Sequence, residues 1–94
     1  MIELEIDAHG YDLSEDLTQR IDDWIGKLDE FMADLDRGHV TVSREGGRKE
    51  LTTVRVQLYG PGRHFEASNT DRDAFKALDR TRHALQSQLR RAHD

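Results

Sequence analysis

Ninety-four residues with a formal net charge of −5 and no cysteine set the scale of a single domain, one that buries only roughly 60–65% of the surface its unfolded chain exposes. Lack of cysteine rules out a disulfide framework, a zinc-thiolate cluster and a thiol nucleophile, and fits a reducing compartment. No apolar run approaches the ~18 residues of a membrane span, and the start MIELEIDAHG has no basic segment followed by an apolar one, so a soluble, cytoplasmic protein with no membrane partner is expected.

Ile2, Leu4 and Ile6 alternate with Glu3, Glu5 and Asp7, the period of two that gives a strand one wet face. Ser14 offers a hydroxyl cap to a helix opening on Glu15 and Asp16. Leu17, Ile21, Trp24, Ile25, Leu28, Phe31, Met32 and Leu35 then recur at three- and four-residue spacing until the chain reaches Gly38, with Trp24 placed in the core. Val40 and Val42 alternate with Thr41 and Ser43 in a second strand, Val54, Val56 and Leu58 with Thr53, Arg55 and Gln57 in a third, and Phe65 and Ala67 mark a fourth. Gly46-Gly47 inside REGGRK and Gly60-Pro61-Gly62 supply the turns. The basic tip Arg44 to Lys49 reads as a solvated hairpin turn within reach of a phosphate backbone.

A second helix is predicted from Thr70 to Arg91, with Thr70 as the hydroxyl cap and Asp73 three residues on. Ala74, Ala77, Leu78, Thr81, Leu85 and Leu89 fall on one side of it, and Arg72, Lys76, Arg80, His83, Arg90 and Arg91 on the other. Arg82 lies beside Phe75 at the edge of the apolar stripe, where its stem can pack while its guanidinium reaches outward. The element order is therefore β-α-β-β-β-α. This is an α+β, two-layer sandwich: a four-stranded sheet with two helices on one face, strands one and two parallel through the helical crossover and strands two to four an antiparallel meander. The uncovered sheet face carries Glu3, Glu5, Thr41, Arg55, Gln57 and Glu66, too mixed in sign and too poor in aromatics to stack bases.

Charge is distributed unevenly. Residues 1–36 hold twelve acids against two bases, Arg20 and Lys27, whereas residues 37–94 hold twelve bases against seven acids. Along the outer side of helix two only Asp73 and Asp79 interrupt the cations, and Asp73 sits in the first turn, where the helix dipole favours an anion. Phosphate binding responds to such a local potential more than to net charge. His9, His39, His64, His83 and His93 show no pair at a helical or hairpin ligand spacing. Ser14, Ser43, Ser68 and Ser87 have no nucleophile-elbow context, and no glycine-rich loop precedes a helix. No metal, no cofactor, no small-molecule substrate and no catalytic residue are expected.

The element order, the Leu28-Asp29-Glu30-Phe31 end of helix one, the run Asp73-Ala74-Phe75-Lys76-Ala77-Leu78-Asp79, then Leu85 and Gln88-Leu89-Arg90, resemble the ribosome hibernation-promoting factor family, also called ribosome-associated inhibitor or sigma-54 modulation proteins. The resemblance covers essentially the whole chain and lies in the ordered set of residues. It implies a fold like a double-stranded-RNA-binding domain with an extra strand. It also implies a partner, the small ribosomal subunit and its rRNA near the decoding region, and an action, translation blocked by occupancy of idle ribosomes under stress or in stationary phase. Lys27 matches the family's helix-one lysine, while Glu30, Ala84 and Ser87 stand where the family carries cations and Lys76, Arg80 and Arg82 add charge at positions usually neutral. The rRNA contacts so implied are Lys27, Lys76, Arg80, Arg82, Arg90 and Arg91. Long members carry a second domain that dimerises and pairs ribosomes; the short form implied here has no C-terminal dimerisation domain. The alternative is a diverged protein-interaction module of the same fold that works through the acids of helix one, Asp22, Asp23, Asp29, Glu30, Asp34 and Asp36.

Overall fold

Alternation of apolar and polar side chains builds the sheet, and three- to four-residue spacing builds its cover. The computed structural model describes residues 1–32, 34–44 and 51–93 and places β1 at Glu3–His9, α1 at Glu15–Phe31, β2 at Arg37–Arg44, β3 at Thr52–Gly60, β4 at Arg63–Asp71 and α2 at Ala74–His93. The strands lie in the order β1-β2-β3-β4, the first pair parallel and the others antiparallel, as the pattern predicts. Between β3 and β4 the turn is two residues long: Gly60 pairs with Arg63, and Gly62 takes the positive φ of 68° that glycine adopts without strain.

One sheet face is apolar, with Val40 and Val42 from β2 and Val54, Val56 and Leu58 from β3 fully buried. Leu17, Ile21, Trp24, Ile25 and Leu28 of α1 and Ala74, Ala77, Leu78, Leu85 and Leu89 of α2 close over it in one core cluster. Each fully buried Val, Leu or Ile side chain there contributes about 1.5–3 kcal/mol relative to exposure. Thr81, also buried, shares its single hydroxyl hydrogen between the carbonyls of Ala77, at 2.7 Å, and Val54 on β3, at 3.2 Å, tying helix to sheet.

Two helix boundaries differ from those the spacing predicts. Ser14 caps α1 as expected, its hydroxyl accepting the Leu17 amide at 3.1 Å. The helix ends at Phe31, however, although Met32 and Leu35 remain buried. The backbone is diverted into the sheet: the Asp36 amide donates to the Tyr59 carbonyl and the Asp36 carbonyl accepts from Glu3, both at 2.9 Å. Apolar spacing thus continues past the point where hydrogen bonding changes partner. The second difference is at α2, which starts at Ala74 and not at Thr70. Thr70 belongs to β4 opposite Thr53, and their hydroxyls meet at 2.8 Å. Asp73 takes the capping role, its carboxylate accepting the Phe75 amide at 2.9 Å, while the Asp71 carboxylate accepts the Asp73 amide at 2.9 Å. A carboxylate is the better cap here because it also answers the helix dipole. Most of the basic hairpin tip, residues 45–50, lies outside the described residues. Arg44 at its base is turned onto the Tyr11 ring, 5.1 Å from the centroid.

Candidate nucleic-acid interface

The two helices run over one sheet face and meet in a groove whose walls follow from their spacing. Arg20, Asp23, Trp24 and Lys27 recur along one edge of α1, and Leu78, Asp79 and Arg82 along the facing edge of α2. Trp24 and Leu78, only 5% and 3% exposed, form the floor. Three cations, Arg20, Lys27 and Arg82, stand on the rim with two anions, Asp23 and Asp79. Both anions are engaged: Asp23 accepts from the Gln19 amide at 2.9 Å, and Asp79 lies 3.4 Å from the Arg82 guanidinium. The Trp24 indole N–H and the Arg82 Nε are buried with no acceptor among the described residues. Three cations on the rim against two anions that already have partners suit an anionic guest better than a cation.

The six cations named from sequence fall into three groups. Lys27 and Arg82 come together in the groove. Lys76, Arg90 and Arg91 are exposed along the outer side of α2. Arg80, although its side chain is 58% exposed, is turned to the sheet edge and pairs with the Asp71 carboxylate at 3.0 Å. That carboxyl is held below the ordinary aspartate range, first by the Asp73 amide and then by the charges of Arg80 and Lys76. Arg80 therefore braces the start of α2, and like Arg82 it is already paired with an aspartate.

Arg20 is the residue that the sequence reading left out. Its guanidinium sits 4.8 Å from the centre of the Phe75 ring, bridging the helices by a cation–π contact. Phe75 is thus covered from α1, and Arg82 points its guanidinium at Asp79. The seven-residue separation of Arg20 and Lys27, two helical turns on one edge, was the available signal.

Acids dominate the rest of α1: Asp22, Asp23 and Glu30 are exposed. Ala84 and Ser87 are exposed on α2, and Ser87 donates its hydroxyl to the His83 carbonyl at 3.3 Å. On the uncovered sheet face Tyr59 and His64 stack at 4.8 Å, and Arg37 lies 5.0 Å over Tyr59. Beside them Arg55 pairs with Glu66 at 2.7 Å.

The fold is shared with two solved structures of low sequence identity. One is a ribosomal subunit interface protein from Coxiella burnetii, 19% identical, with a TM-score of 0.83 over 99% of this chain and 98% of that one. The other is the N-terminal domain of Thermus thermophilus Protein Y, 20% identical, with a TM-score of 0.76 over 92% of each chain. No curated protein matches the chain by sequence. The family model for sigma 54 modulation protein / S30EA ribosomal protein matches residues 4–94, reaching every strand and both helices. The chain belongs to that family, one of ribosome-associated factors rather than enzymes.

Proposed function

We propose that this protein binds the small ribosomal subunit through its helical layer, contacts rRNA near the decoding region and blocks translation by occupancy. The observation that carries the reading is the interhelical groove, where Arg20, Lys27 and Arg82 from two helices converge on one rim. Exposed Lys76, Arg90 and Arg91 extend the positive surface along α2. Arginine suits the task because its planar fork engages phosphate at two points and stacks on exposed bases. Arg80 contributes through α2 placement more than through direct contact, given its bond to Asp71.

Co-sedimentation with purified small subunits over a salt series tests this. A phosphate-dominated complex loses affinity steeply as salt rises, because each contact releases condensed counterions. Replacing Lys27 and Arg82 by Gln, which keeps polar side chains at the groove, should lower affinity tenfold or more with the fold intact by circular dichroism. Salt-insensitive binding, or an unchanged double variant, overturns the reading.

A second reading has its own observation. Asp22 and Glu30 stay exposed on α1 while two α2 cations, Arg80 and Arg82, are partly neutralised by Asp71 and Asp79. In that case α1 is the working surface and its partner a basic protein. Loss of binding on reversing Asp22 and Glu30, with binding unaffected by the Lys27 and Arg82 replacements, favours it.

A further inference from the structure

We propose that Glu5, Asp7 and His39 form a binding site for one divalent transition-metal ion of the zinc class on the uncovered face of the sheet. Their ligand atoms, one from each side chain, all lie within 4.8 Å of one another. The site follows from strand register. Glu5 and His39 are direct partners across the parallel β1–β2 pair, and Asp7 is two residues along β1 on the same face. The backbone therefore fixes all three Cα positions, and the side chains need only small adjustments.

The distances suit a cation. His39 Nε2 stands 2.8 Å from the Asp7 carboxylate and 4.0 Å from that of Glu5. Ligands about 2.0–2.1 Å from an ion stand about 3.3–3.4 Å apart in a tetrahedron and about 2.8–3.0 Å apart when adjacent in an octahedron. The His39–Asp7 separation falls at the short end of those distances, and the Glu5 side chain, the most exposed of the three, has the reach to close the longer one. With its proton on Nε2 the imidazole donates to Asp7; with Nε2 deprotonated, a lone pair points into the same space.

The electrostatics ask for a positive guest. Elsewhere on the sheet Glu66 and Asp71 each have an arginine, at 2.7 and 3.0 Å. Glu5 and Asp7 are two neighbouring carboxylates, and among the described residues neither has a lysine or arginine within ion-pairing distance; the His39 imidazole is their shared neighbour. A divalent ion would cancel that repulsion and join the edge strand to its neighbour. One imidazole with two carboxylates selects against Mg²⁺ and Ca²⁺, which prefer all-oxygen shells, and for ions such as Zn²⁺, Co²⁺, Ni²⁺ or Cu²⁺. Three protein ligands leave further positions open to water or to a group brought by a partner.

This inference does not rest on the ribosome-binding reading, since the three residues lie on the sheet face opposite the helical groove. Isothermal titration of the untagged chain with ZnCl₂ at pH 7.5, where the imidazole competes well for metal, should show one ion per chain. His39→Ala and Asp7→Asn should each weaken binding tenfold or more, with unchanged circular dichroism, and a tenfold excess of Mg²⁺ should not displace Zn²⁺. A shift of the His39 ring resonances on adding Zn²⁺ would place the ion. Absence of binding by the parent chain, equal binding by His39→Ala, or equal competition by Mg²⁺ overturns the proposal.

Discussion

The two helices cover the same sheet face by different means. The buried stripe of α1 is bulky, Leu17, Ile21, Trp24, Ile25 and Leu28, whereas that of α2 begins with Ala74, Ala77, Leu78 and Thr81. Small residues let backbones approach, and α2 comes within 8 Å of β3 and β4 repeatedly; among the described residues α1 makes no comparable approach to any element. Their outer surfaces also differ in sign, with Asp22, Asp23 and Glu30 exposed on α1 and Lys76, Arg90 and Arg91 on α2. The fold constrains only the inner stripes. Surface charge is then available for recognition, and the two signs meet at the groove.

Opposite changes of volume probe the inner stripes. Truncating Leu17 to Ala in α1 leaves a cavity under a helix held off by large side chains and should cost about 2–5 kcal/mol. Enlarging Ala77 to Leu in α2, a position with no exposure, should cost about 1–3 kcal/mol because the backbone is too close to admit it. Urea unfolding measures both, and a neutral Ala77→Leu would mean that α2 has slack the close approach does not suggest.

A smaller effect is expected at the outer surface of α1. Restoring a cation by Glu30→Lys should tighten small-subunit binding by about 1 kcal/mol or less, the scale of an exposed charge, with thermal stability almost unchanged. Weaker binding would instead mark the acids of α1 as the working surface.

The smallest effect belongs to the brace at the start of α2. The Asp71 carboxyl sits below its ordinary value of 3.8 in the folded chain. Its contribution is therefore present above the unfolded value, about 3.9, and is lost as pH falls through the lowered folded value. In urea unfolding between pH 6 and 2.5, the gap between the parent and Asp71→Asn should be constant above about pH 4.5 and should narrow below it. A gap independent of pH would mean that the Asp73 amide and Arg80 do not favour the charged form.

Most of the fold could be read from residue order because each element carries its own period. Ile2 to Asp7 alternates by two, Leu17 to Leu28 repeats by three and four, and Ser14 and Pro61-Gly62 mark boundaries by local chemistry. The boundaries that failed depended on distant partners: Thr70 is held by Thr53, and Asp36 by Glu3 and Tyr59. The candidate site divides in the same way. Lys27 and Lys76 are exposed as helical periodicity requires, but nothing local to Arg80 reveals Asp71 beside it, and Arg20 gains its place only through Phe75 of the other helix. The Glu5, Asp7 and His39 cluster spans β1 and β2, so a search for paired histidines along the chain passes over it.

Only Arg72 and Asp73 separate the end of β4 from the first residue of α2. A link that short acts as a keyway, setting the angular orientation of the helix as well as its starting point. One residue inserted there would turn everything downstream by about 100°, carrying Leu85 and Leu89 out of the core or, if they held, melting the first turn and its Asp73 cap. The junction should therefore accept changes of side chain far more readily than changes of length, and insertions that leave binding intact should fall elsewhere, at turns whose geometry does not index a cationic helix.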